Sequence, residues 1–181
     1  HENLLPWEDD MCMLAAKSRS LRCLRYVHEA GCALTAETCS AAAWSYDISC
    51  LMYAHENGAP WDITTCINAS RHNNFTAIEY AVARGCPVDS EVCIRAILRG
   101  CSLRHVMFMC QNNYPLHPDM CKVAARRGSE TVLQFLHEGG CPWNVSTTRD
   151  ASRSGNLAAL KYAAEHGCPV EVVPCSCSVE P

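Results

Sequence analysis

The chain lacks most of what would mark an enzyme, a membrane protein or a nucleic-acid binder. No apolar run approaches the roughly 20 residues that a membrane-spanning helix needs. Charged residues make up only 19% of the 181, and their balance is −4. A chain so weakly charged, and on the acidic side, has no bulk attraction for nucleic acid or an anionic membrane. Aromatics are few, with three Phe, four Trp and six Tyr. There is no Gly-rich phosphate loop, no pair of catalytic carboxylates and no Ser–His–Asp order. Neither an enzyme activity nor a cofactor is therefore expected. No leader peptide is visible, although the first residue is His rather than Met.

Cysteine, in contrast, is abundant, and its spacing is regular. Fifteen occur, and Cys12, Cys39, Cys66 and Cys93 follow one another every 27 residues, with Cys121 after one inserted residue. Thr148 holds the next place in the cycle and Cys175 the one after. A fixed period of this size marks an array built from one small unit stacked on copies of itself. Equivalent cysteines in successive copies would stand about one helix-packing distance apart, roughly 8–10 Å. A disulfide needs Cα atoms within about 7 Å, so the series is not expected to be cross-linked from copy to copy. Free Cys behaves as a small buried hydrophobe, and so many thiols imply an intracellular, reducing compartment.

Counting from each periodic cysteine as position zero, positions three and four are small. They read Ala15/Ala16, Ala42/Ala43, Ala69/Ser70, Ala96/Ile97, Ala124/Ala125 and Ala151/Ser152. Together with position zero they form one face of a short helix. Position eight offers helix N-caps in Ser20, Asp47, Asn74, Ser129 and Asn156, with Cys101 the exception. A second helix follows, apolar at positions eleven, twelve and fifteen, as in Cys23/Leu24/Val27 or Val132/Leu133/Leu136. It stops at Gly31, Gly58, Gly85, Gly140 or Gly167, with Asn113 serving in the fourth copy. Proline follows at 60, 87, 142 and 169 and forbids continuation. Trp7, Trp61 and Trp143 are expected to pack under this connection. Thr35, Asp62, Asp89 and Asn144 then cap the next first helix.

These residues predict an all-α fold, an α-solenoid of about six stacked helix-turn-helix copies in a single array over 1–181. Copies begin near 12, 39, 66, 93, 121 and 148, with partial copies at 1–11 and 175–181. The open ends imply end-to-end packing with further repeats or with subunits of an assembly.

The stretches AARRGSETVLQFLHEGGCPW (124–143) and ASRSGNLAALKYAAEHGCPV (151–170) resemble the ankyrin repeat. In that repeat a two-alanine first helix, a Gly and a second helix of the VKLLLEHGA type recur in the same order. The resemblance covers nearly the whole chain and departs in two respects. The period is 27 rather than about 33, so no projecting β-hairpins are expected, and the TPLH motif is absent. HENGAPWD at 55–62 is similar to the shortened Cys-rich arrays of large DNA viruses and unicellular eukaryotes. The resemblance implies a non-enzymatic scaffold for protein–protein interaction, cytoplasmic or, if viral, in the host cell or virion.

Two candidate sites emerge. Position five reads Lys17, Trp44, Arg71, Leu98, Arg126 and Arg153, and position six adds His72, Arg99 and Arg127. The stack would place these as a mostly basic stripe on the first-helix face. Glu29, Glu56, Glu138 and Glu165 at position seventeen would make the opposite face acidic. An acidic protein partner is expected to bind Lys17, Trp44, Arg71, His72, Arg99, Arg126, Arg127 and Arg153, since Trp and Arg are over-represented among binding anchors. Arg25/Glu29 and Lys161/Glu165 have the spacing of helical ion pairs.

The second candidate is metal. Cys12, Cys23, His28 and Cys32 are all ligand types suited to tetrahedral zinc, which would make the chain a zinc-stabilised repeat module. Other copies do not sustain the set, with Ala59 and Val132 in its places. The third reading is a structural subunit of a large assembly, stacked through its ends. His28, His55 and His137 share one position and are expected to bond at a helix end.

Overall fold

The computed structural model describes residues 10–127 and 129–170. Among them are twelve α-helices and no strand. In chain order they are α1 (Met11–Lys17), α2 (Leu21–Glu29), α3 (Ala36–Ala42), α4 (Ser49–Glu56), α5 (Ile63–Arg71) and α6 (Phe75–Val82). There follow α7 (Ser90–Leu98), α8 (Leu103–Gln111), α9 (Pro118–Arg127), α10 (Glu130–Glu138), α11 (Val145–Arg153) and α12 (Leu157–Glu165). No helix is long and apolar enough to cross a membrane.

The chain divides into two compact units, His1–Pro115 and Leu116–Pro181. The boundary falls in the connection between α8 and α9. In the first unit each odd helix pairs with its even successor, and α1, α3, α5 and α7 pack in a row, each on the next. In the second, α9 packs on α11 and α10 on α12, again with each hairpin paired internally.

Within each unit the close packing of odd helices follows from their small side chains. Ala16, Ala42, Ala43, Ala96, Ala124, Ala125 and Ala151 are fully buried, together with Cys12, Cys39, Cys66, Cys93 and Cys121. Small residues let the backbones approach, while Leu24, Leu51, Ile78 and Leu133 on the even helices supply the bulk. Cys23 was expected on this apolar face but is exposed. Helix α2 packs against α4 on one side, and no described helix precedes it on the other.

Caps form much as the spacing predicts. Ser20, Asn74 and Asn156 accept from the amides of Cys23, Ala77 and Ala159, each at 3.2 Å. Asp47 accepts from the Ser49 amide at 2.9 Å. Ser129 makes no side-chain cap bond, and α8 begins from Ser102, one residue past Cys101. At the other end of the even helices, Gly85 and Gly140 each have φ +81°. A Cβ there would meet nothing within 4 Å, so the backbone angle alone demands glycine. Asn113 takes the same conformation with φ 58°.

Two joints between hairpins and one within each of three hairpins went unread in the sequence. The amide of Asn74 donates back to Ala43 O at 3.3 Å and to Ser45 O, and that of Asn156 to Ala125 O at 2.7 Å. These asparagines cap one helix and tether it to the hairpin before. The thiols of Cys86, Cys141 and Cys168, at position twenty, donate to the carbonyls of Asp62, His117 and Asn144 at 3.3, 3.3 and 3.4 Å. Those carbonyls lie just ahead of the odd helices, so the cysteine of the Cys-Pro pair is a weak donor as well as filler. Third, the shared histidines do not bond at their own helix end. His28 Nδ1 meets Tyr53 Oη at 2.8 Å and His137 Nδ1 meets Tyr162 Oη at 3.0 Å, each in the following hairpin. Trp61 and Trp143 stack on His55 and His137 with centroids 3.6 and 3.7 Å apart. Trp7 lies outside the described residues.

Candidate functional site

The first unit gathers part of the basic stripe into a groove. Lys17 ends α1, Trp44 follows the cap of α3, and Arg71 ends α5, so each stands at the C-terminal end of its helix. A cation there complements the negative end of the helix dipole. Because α1, α3 and α5 pack in a row, the three positions become neighbours. The Trp44 indole, 37% exposed, stacks on the His72 ring with centroids 4.6 Å apart and planes 29° from parallel. Lys17 Nζ lies 5.7 Å from the indole centroid on the α1 side, within cation–π range.

Behind the indole, Asn68 Nδ2 donates to Ser40 Oγ at 2.6 Å, joining α5 to α3. Arg71 Nη1 donates to Asn68 Oδ1 at 3.2 Å. The arginine is thus held against the wall while its charge remains exposed. Met13, Lys17, Glu37, Ser40, Ala41, Trp44 and Asn68 enclose about 330 Å³. Glu37 is the one carboxylate among these seven. The groove has an aromatic plate, a hydrogen-bonding floor and cations at its rim.

Arg99 caps α7 and is exposed, next to the half-buried Leu98 that interrupts the series. Arg126, Arg127 and Arg153 are exposed at the ends of α9 and α11 in the second unit. The expected Arg25–Glu29 and Lys161–Glu165 pairs are not among the ion pairs of the described residues, which are Glu91–Arg95, Asp119–Lys122 and His117–Asp119. Arg25 instead places its guanidinium 5.4 Å from the Tyr53 ring centroid. Glu29, Glu56, Glu138 and Glu165 are all exposed, as expected of the acidic positions.

The zinc set is not brought together. The Cys12 thiol is buried and donates to Cys32 O at 3.5 Å, His28 is engaged by Tyr53, and Cys23 is exposed on α2. Among the described residues no three His, Cys, Asp or Glu side chains converge closely enough to hold a metal ion. Nor are the buried thiols of Cys39 and Cys101 poised as nucleophiles. Burial pushes Cys39 and Cys101 up to about 12, which keeps them protonated at neutral pH.

The sequence put His72 in the stripe without showing it as the support of Trp44, and did not single out Asn68 as the link between two helices. The signal was there: positions five and six of adjacent copies hold Trp44 and His72, 28 residues apart. No family model and no curated protein sequence matches the chain.

Proposed function

We propose that the hairpins form an α-solenoid of ankyrin-like repeats, and that the protein is a non-enzymatic scaffold binding an acidic protein segment in the α1/α3/α5 groove. The row of odd helices on a 27-residue period supports the first part. The observation that carries the second is the exposed Trp44 plate, backed by His72 and flanked by Lys17 and Arg71. An indole held by a stacked neighbour loses little entropy on binding, and its desolvation is what makes Trp an anchor. Lys17 and Arg71 favour a carboxylate beside whichever apolar side chain lies on the ring. Glu37, two turns before Trp44 on α3, rejects a fully acidic run, so the fitting segment alternates acidic and apolar residues.

The reading is tested with a dye-labelled peptide of about ten residues alternating Glu and Leu, against its Lys–Leu counterpart, by fluorescence polarisation. The acidic peptide should bind more tightly, and weaken as salt screens the pairs. Trp44→Ala should weaken it roughly tenfold, as for a central anchor, and Arg71→Glu should remove the charge preference, both with unchanged circular dichroism. Equal binding of the two peptides, or indifference to both substitutions, overturns the proposal.

A further inference from the structure

Three copies carry a second cysteine twenty residues after the first, as Cys12/Cys32, Cys66/Cys86 and Cys121/Cys141. In each pair both members are buried thiols. The pairs are not alike. Cys12 and Cys121 donate to the backbone carbonyls of Cys32 and Cys141, at 3.5 and 3.9 Å. Cys66 donates to the sulfur of Cys86 itself, Sγ to Sγ 3.5 Å. Cys86 passes its own proton on toward Asp62 O at 3.3 Å.

We propose that Cys66 and Cys86 are a reversible oxidation site, closing to an intra-hairpin disulfide when a low-molecular-mass disulfide is present. Cysteines of successive copies stand a helix-packing distance apart, but two cysteines of one hairpin are not so separated. Their sulfurs are already in van der Waals contact, so side-chain rotation rather than backbone rearrangement brings them to bonding distance.

The two thiols have different parts. Cys86 lies between exposed Gly85 and Pro87 in the hairpin connection and is 4% exposed, whereas Cys66 is fully buried in α5. The hydrogen bond from Cys66 holds the Cys86 thiol below its ordinary range, and donating that bond raises Cys66. Cys86 is accordingly the attacking thiolate. It attacks one sulfur of the small disulfide, forming a mixed disulfide and expelling one small thiolate. Cys66 then gives up its proton and attacks the Cys86 sulfur, expelling the second. Two electrons leave the protein, and its two thiol protons end on the two small thiols released.

The test treats the full chain with oxidised glutathione under native conditions, quenches with acid, alkylates free thiols and maps linked peptides by mass spectrometry. The Cys66–Cys86 link should form several-fold faster than Cys12–Cys32 or Cys121–Cys141. In Cys66→Ser, whose fold is checked by circular dichroism, glutathione should instead remain on Cys86, because nothing displaces it. Wild-type protein in which Cys86 stays glutathionylated overturns the proposal, as does one in which only exposed cysteines such as Cys23 react. Neither result bears on the groove, which contains no thiol.

Discussion

His55, Trp61 and Tyr80 in the first unit, and His137, Trp143 and Tyr162 in the second, are the same three residues at the same spacings. Both histidines stack face to face on their tryptophans, and both tyrosines meet the stack edge-on and are 8% exposed. Yet only the second set closes its hydrogen bond, His137 Nδ1 to Tyr162 Oη at 3.0 Å. In the first, His55 Nδ1 and Tyr80 Oη are buried without a partner among the described residues. A repeated pattern therefore fixes packing more firmly than it fixes polar pairing. Ring stacking tolerates small rotations, whereas a hydrogen bond is lost within a few tenths of an ångström and a few tens of degrees.

The comparison would break most severely at the asparagine joints, where the two units are expected to behave alike. Asn74 and Asn156 each cap an even helix and hold a carbonyl of the preceding hairpin. Replacement by Ala removes a cap, about 1 kcal/mol, and strands a partner carbonyl, about 1–3 kcal/mol. Urea unfolding should show Asn74→Ala losing about 3 kcal/mol, since Asn74 is only 2% exposed, and the half-buried Asn156 losing about 2 kcal/mol. A loss near zero at either position would mean that the tether is not a joint.

Removing one hydroxyl sharpens the contrast itself. Tyr162→Phe gives up a bond to His137 and leaves its nitrogen unpaired, so about 1 kcal/mol should be lost. Tyr53→Phe should behave likewise, because Tyr53 Oη bonds His28 Nδ1 at 2.8 Å. Tyr80→Phe removes a hydroxyl that is buried without return and should be neutral or stabilising. Thermal unfolding of the three variants side by side decides it, and equal losses would show that Tyr80 is paired after all.

What the sequence made legible divides along the same line. The period, the small face of the odd helices, the glycine ends and most of the caps could be read because each depends on one residue type at one place. Ser129 makes no cap bond because the position only permits it, and local geometry decides whether it forms. The stripe was legible as a set of positions on one face. Its conversion into a groove depends on Trp44 meeting His72 and on Asn68 reaching Ser40, contacts between copies that no single copy displays. The thiol pairs are visible as a twenty-residue spacing within a copy, distinct from the 27-residue period between copies. Which pair turns its sulfurs together is set by rotamers, and spacing carries no information on that.

The smallest effect concerns why the two tyrosines differ. Four residues beyond Tyr162 stands His166, whose ring lies 4.1 Å from the tyrosine centroid and whose Nδ1 meets Tyr162 O at 2.8 Å. Four residues beyond Tyr80 stands Arg84, with its guanidinium 3.8 Å from the ring centroid. A cation over the ring face attracts it, and that attraction competes with any rotation that would carry the Tyr80 hydroxyl toward His55. Arg84→His should release the ring, so that Tyr80→Phe, harmless alone, becomes costly in the Arg84→His background. A double-mutant cycle should give a coupling of about 0.5–1 kcal/mol, the size of an exposed cation–π contact. Additivity within about 0.3 kcal/mol would remove Arg84 as the cause and leave the placement of α6 against α4 to account for the open bond.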